Sequence, residues 1–237
     1  MIVYFHGGGW VIGSIETEDY LCKRLSGALN AAVVSVDYRL APEYRYPAGL
    51  EDALAAIEWA INMAPGLNVP SDKVAVAGAS AGGNLAAAAC LKRRDSGLAA
   101  PARQLLLYPV TDVSTLDTES YREYGNKKIG LSPAQMDWFR NNYAPDKEAF
   151  ADPYISPNRA ENFSSLPPAM IVTAEFDILR SEGEIFARRL SDAGIEVETV
   201  MAAGMVHGFM SFVDLVDSAN LWFDRIVQAY RHLRDRI

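Results

Sequence analysis

With 237 residues, half of them apolar, the chain is long enough to bury one substantial core. Its formal net charge is -8, and no block of lysines or arginines stands outside the last helical turns, which argues against a surface for nucleic acid or anionic membrane and leaves an uncharged or cationic small substrate open. No apolar run approaches the length that spans a bilayer, Met1 leads straight into Ile2-Val3-Tyr4-Phe5, and Cys22 and Cys90 lack C-x-x-C spacing, so the reading is a cytoplasmic protein with free thiols and no stable membrane insertion.

Residues 2–5 form a short apolar strand that stops at His6-Gly7-Gly8-Gly9-Trp10, three consecutive glycines that no regular element favours. Residues 16–29 read as a helix with Leu21, Leu25, Ala28 and Leu29 on one face, and 32–37 as a strand. After a loop from Tyr38 to Tyr46, Pro47 suits a first helical position, and Leu50, Leu54, Ile57 and Ile61 carry an apolar stripe as far as Pro65-Gly66. A strand at 73–77 then enters Gly78-Ala79-Ser80-Ala81-Gly82-Gly83, and an alanine-rich helix at 84–94 leaves it.

The strand at 103–109 gives way to a polar, irregular stretch to about residue 165, in which Ser132-Pro133 opens a helix through Tyr143. The alternation resumes with a strand at 169–174, a helix at 181–193 with capping-box spacing at Ser181 and Glu184, a strand at 196–201 and a final helix from about 211. Six short strands alternating with helices specify an α/β domain over 1–237: a doubly wound, mostly parallel sheet flanked by helices, with 112–165 as a partial cap or lid insertion.

Ser80 is the candidate nucleophile. A serine at a tight strand-to-helix turn, between residues without bulk, is raised where a substrate can reach it, although a helix-capping serine would fit the same spot. A serine hydroxyl needs a base, and the chain has three histidines. His232 lies in a basic helix end, where a cation suits the helix dipole, and His6 sits at the mouth of the glycine loop. His207, in a flexible turn after the last strand, is the candidate base, and Asp177, just after the strand at 169–174, is the carboxylate that orients it. Glu175, Asp152 and Asp112 are the competing acids. The glycine loop supplies oxyanion donors: the amides of Gly8 and Gly9, joined by Ala81 at the start of the following helix, with Gly7 as a further candidate. Trp10 and Phe209 are the aromatics expected to line the pocket, and the chemistry calls for no metal or organic cofactor.

Taken together, the motifs resemble the hormone-sensitive-lipase-like branch of bacterial esterases in the α/β-hydrolase superfamily. The resemblance runs through Tyr4 to Trp10, Asp37-Tyr38-Arg39-Leu40-Ala41-Pro42-Glu43, Gly78 to Asn84, Asp152 to Pro157, Thr173 to Arg180 and His207-Gly208-Phe209, in family order. It implies hydrolysis of short- to medium-chain acyl esters through an acyl-enzyme, with Ser80, Asp177 and His207 as the triad. Two departures stand out. Ala79 replaces the family's usual Asp or Thr before the nucleophile, and the usual leader, with the first two strands and part of the cap, is missing. The strand at 32–37 is then expected at a sheet edge, covered by self-association into a homo-oligomer unless the chain is a fragment of a longer reading frame. Rival readings are a non-catalytic small-molecule-binding protein on the same fold and an amidase or acyltransferase using the same triad.

Overall fold

The computed structural model describes residues 1–236. Its six strands are β1 (Ile2–Phe5), β2 (Val33–Val36), β3 (Ala75–Ala79), β4 (Gln104–Leu107), β5 (Ala169–Phe176) and β6 (Val197–Val206). All five pairings are parallel, in the order β2-β1-β3-β4-β5-β6, so β2 and β6 are the edges of this sheet. The chain runs from β1 outward to β2, returns, and builds in the other direction from β3. The gap between β1 and β3 is thus the point where the winding reverses, and the crevice beyond the carboxyl ends of strands at such a point is where open α/β sheets hold ligands.

Alternation along the strands sends side chains to two cores. Ile2, Tyr4, Ala75, Ala77, Leu105 and Met170 face α1 (Ile15–Leu29) and α7 (Asp217–Arg236). Val3, Phe5, Val76, Leu106 and Ile171 face α2 (Ala48–Met63), α3 (Ala81–Asp95) and α6 (Arg180–Asp192). The central helix α3 is buried nearly all round. Its run Ala86-Ala87-Ala88-Ala89 lets it lie close to the sheet, because a methyl group adds little to the distance between layers. Leu25 of α1 is fully buried, and truncating it to alanine would cost about 3 kcal/mol in transfer and cavity terms.

Boundaries depart from the sequence reading where tertiary contacts extend or override local pattern. β6 continues to Val206, because pairing with the long β5 carries it past 201, and a register shift between Ala174 and Phe176 bends the pair near its end. The last helix begins at Asp217, after a 3-10 turn at Phe209–Phe212. The stretch 112–165 holds a short helix, α4 (Glu119–Tyr124), beside the expected α5 (Pro133–Tyr143), which Ser132 and Gln135 open with a capping box. The cap expected at Ser181 is not formed. Leu179 holds the N-cap position of α6, the Ser181 amide and hydroxyl both pair with the Ser120 hydroxyl, and Glu184 turns to Arg180.

Candidate active site

Phe5 of β1 is in register with Gly78 of β3, so the glycine loop and the serine turn leave the sheet at the same level. Ser80 has φ 54° and ψ -116°, far from the regular regions, and the turn is held by its neighbours. Its N–H donates to the Leu107 carbonyl at 2.9 Å and its own carbonyl accepts from the Val110 amide at 3.2 Å. Gly82 is required here by closeness, since a Cβ on it would lie 2.0 Å from the Phe5 carbonyl oxygen. Asn84, on the next turn, donates to the carbonyls of Val110 and Ile155 and ties the helix start to the loop beyond β4.

His207 follows directly on β6. Its Nε2 is 2.9 Å from Ser80 Oγ and its Nδ1 is 2.7 Å from Asp177 Oδ2. Asp177 is buried just beyond β5, and its other oxygen accepts the Leu179 amide at 3.0 Å, so the opening turn of α6 aims the carboxylate. The Tyr108 ring stands edge-on to the imidazole, with centroids 5.0 Å apart. Burial holds the Tyr108 phenol well above its ordinary range, and the ring is a neutral wall.

The loop after β1 wraps the other side. Gly9 has φ +60°, and a Cβ there would fall 2.2 Å from the Phe139 ring of α5, so only glycine lets α5 close down on the loop. The amides of Gly8, Gly9 and Ala81 have no acceptor among the described residues. Gly7 differs: its N–H donates to Glu18 Oε1 at 2.9 Å, so it is not the further oxyanion donor considered above. Glu18 Oε2 accepts from the Tyr4 hydroxyl. Burial pushes the Glu18 carboxyl upward, while the Tyr4 and Gly7 hydrogen bonds and the nearby imidazoles pull it back.

A cavity of about 190 Å³ joins these parts, bounded by Gly7, Gly8, Gly9, Glu18, Ser80 and His207 on the polar side and by Tyr108, Val110, Leu131, Met136 and Phe139 on the apolar side. A larger open groove of about 500 Å³ between α6 and the β5–β6 edge has no histidine or cysteine in its walls.

The two aromatics expected in the pocket are core residues. Trp10 is 1% exposed and stacks on Tyr143 at 4.4 Å, behind the loop. Phe209, also 1% exposed, packs against Tyr108 and does not line the cavity. Both sit next to the loops that carry the chemistry, but the backbone turns their rings inward, where burying an aromatic ring releases the most apolar surface. His6 is fully buried, bonded through Nδ1 to the Gly7 carbonyl at 2.7 Å and stacked on Tyr38, and His232 is exposed on α7. Of the competing acids, Glu175 accepts the Gly204 amide and braces the last residues of β6 before His207, Asp112 pairs with Arg159, and Asp152 accepts from Tyr46. The apolar wall from α5 was not read from the sequence, because it lies in the irregular stretch. Glu18 did leave a signal: it sits on the Leu21–Leu25 stripe of α1, a carboxylate on a face that should be apolar.

A profile of the alpha/beta hydrolase fold matches residues 2–211. The chain belongs to this family, in its hormone-sensitive-lipase-like esterase branch. Among similar proteins in it, the carboxylic ester hydrolase LipN of Mycobacterium tuberculosis is 40% identical, over 100% of this chain and 64% of its own length. The arylesterase of Saccharolobus solfataricus is 40% identical over 89% of this chain and 68% of its own. The crystal structure of an esterase from Pyrobaculum calidifontis superposes with a TM-score of 0.93 at 40% identity, covering 98% of this chain and 76% of that one. The chain therefore spans roughly two thirds to three quarters of the length of these α/β-hydrolase relatives. Among the described residues, no helix is long and apolar enough to cross a membrane.

Proposed function

We propose that this chain is a serine carboxylesterase for short- to medium-chain acyl esters. The observation that carries the reading is His207, which bridges Ser80 Oγ at 2.9 Å and Asp177 at 2.7 Å beside a loop of unsatisfied amides. His207 Nε2 takes the Ser80 proton as Oγ attacks the ester carbonyl. The negative charge on the tetrahedral oxygen is met by the amides of Gly8, Gly9 and Ala81, each such donor being worth roughly 10²–10³ in turnover. Asp177 keeps the imidazole in the tautomer whose Nε2 faces the serine and stabilises it once protonated. The imidazolium then protonates the leaving alcohol, and a water deprotonated by the same nitrogen releases the acid from Ser80.

The chain-length preference rests on the cavity, about 190 Å³ with an apolar wall of Val110, Leu131, Met136 and Phe139, which is small for an organic ligand site. In the same reading 112–165 serves as a partial lid within one domain, since Leu131 and, from α5, Met136 and Phe139 supply most of that wall. The buried free thiols Cys22 and Cys90 support a reducing cytoplasmic setting. Self-association along the β2 edge also belongs to it, and a stable monomer on size exclusion would remove that part alone.

A panel of nitrophenyl esters from acetate to palmitate, run on the parent and on Ser80→Ala, tests the whole. We expect turnover to peak at short acyl chains and to fall roughly 10⁴-fold or more in the variant. Undiminished hydrolysis by Ser80→Ala would overturn the mechanism.

A further inference from the structure

Three consecutive glycines make an unlikely place to fix a pair of hydrogen-bond donors, because nothing in their own side chains restricts them and their backbone freedom is the largest of any residue. The Gly8 and Gly9 amides are useful only if they already face the position of the oxyanion when the reaction begins, so the loop needs anchors supplied from elsewhere. One anchor is local: the Val11 and Ile12 amides both donate to the Gly8 carbonyl, at 3.1 and 3.0 Å. A second is His6, whose Nδ1 holds the Gly7 carbonyl at 2.7 Å while Tyr38 donates to the His6 carbonyl at 2.9 Å.

The third comes from a different element. Glu18 of α1 reaches back eleven residues and accepts the Gly7 amide at 2.9 Å, and its other oxygen accepts from Tyr4, fully buried on β1. Gly7 is thereby pinned at both its N–H and its C=O. It is also confined sideways, since a Cβ on Gly7 would lie 3.1 Å from Glu18 Oε1, 3.3 Å from the Ala79 carbonyl and 3.6 Å from Ser80 Cβ. The carboxylate thus stands in the wall of the catalytic cavity, in contact with the oxyanion loop and alongside the serine turn.

We infer that Glu18 is a positioning residue of the reaction: by holding the Gly7 amide it sets the orientation of the Gly8 and Gly9 peptides toward the oxyanion formed on Ser80. This rests on the esterase reading above. Charge is not what it contributes. A negative charge in this wall opposes a developing oxyanion, so the group is useful here as a hydrogen-bond acceptor with the reach of a glutamate. Gln retains that acceptor and that reach. Asp retains the charge but is one methylene too short to reach Gly7 from the same helix position.

The test measures kcat and KM on nitrophenyl butyrate, together with inhibition by a phenylboronic acid, whose tetrahedral adduct on Ser80 carries an oxygen into the oxyanion position. In Glu18→Ala and Glu18→Asp we expect kcat to fall about 10- to 100-fold with KM changed less than threefold, boronate affinity falling in parallel with kcat, and Glu18→Gln recovering at least a third of the parent kcat. If Glu18→Ala does not fold, the contrast between Asp and Gln carries the test. Equal kcat and equal boronate affinity in Asp, Gln and parent would overturn the inference, as would Asp matching the parent while Gln falls. A parent that hydrolyses no ester breaks the esterase reading, and this inference falls with it; an active parent with an indifferent Glu18 breaks the inference alone.

Discussion

The proposed nucleophile and its proposed acid–base arm meet on the polar side of one cavity and are held by different means. Ser80 is fixed by backbone. Its amide and carbonyl are both bonded to the chain around β4, and Gly82 sits so close to Phe5 that the turn has no room to relax. The arm of Asp177 and His207 leaves the β5–β6 edge of the sheet and is fixed by side chains: a carboxylate aimed by the Leu179 amide, an imidazole aimed by that carboxylate, and a ring edge from Tyr108. The difference teaches where each kind of change is felt. A change of volume at the serine turn disturbs the fold, whereas loss of a polar atom on the arm disturbs the reaction and leaves the fold standing.

The largest expected effect sharpens the arm's side of this contrast. Asp177→Asn keeps the shape and an oxygen for the Leu179 amide, but its NH2 opposes the Nδ1 proton, so kcat should fall roughly 10⁴-fold while the thermal midpoint moves only slightly. Activity assays and calorimetry on the same preparation read both; a comparable loss of stability would erase the distinction. Gly82→Ala is the converse, because a Cβ 2.0 Å from the Phe5 carbonyl oxygen must force strand and helix apart. We expect about 3 kcal/mol of stability lost in urea unfolding, with whatever activity the folded fraction retains following the population. An unchanged midpoint would show that the turn is softer than its packing indicates.

The smallest effect concerns Glu182 of α6, fully buried, whose one oxygen accepts the Thr111 and Asp112 amides while the other has no partner among the described residues. Burial raises its carboxyl well above the ordinary 4.5, against the pull of those two amides. Its folded pKa therefore exceeds its unfolded one, and the stability associated with the neutral form is fully present below the unfolded value and is lost as pH rises toward the folded one. Glu182→Gln keeps the acceptor without the titration. Its stability should decline less than the parent's as pH rises from about 4.5 toward neutrality, as read from thermal midpoints across that range. Parallel curves for the two proteins would mean that the buried carboxyl titrates alike in both states.

Much of the molecule follows from short-range pattern. The β/α alternation and the opening of α5 at Ser132 are properties of neighbouring residues, and local periodicity reports them because strands and helices are themselves local. The edge position of 32–37 is expected only from the strand order of the family that the motifs resemble. Where pattern failed, a distant contact had overridden it. Ser181 and Glu184 have the spacing of a cap, yet the helix already begins at Arg180 behind Leu179, and Ser120 takes the serine. β6 outruns its apolar run because β5 extends beside it.

The same division holds at the site. The residue types and their order along the chain name a nucleophile, a base, an acid and a loop rich in free amides, since each chemistry demands particular side chains and glycine where none is tolerated. Tertiary structure decided which groups were already in use: the Gly7 amide belongs to Glu18, Trp10 to Tyr143 and Phe209 to Tyr108. A hydrogen-bond donor has one proton and a ring two faces, so what remains available for chemistry depends on which partners the fold brings within about 3 Å. Sequence spacing carries no measure of that distance once the partners lie on different elements.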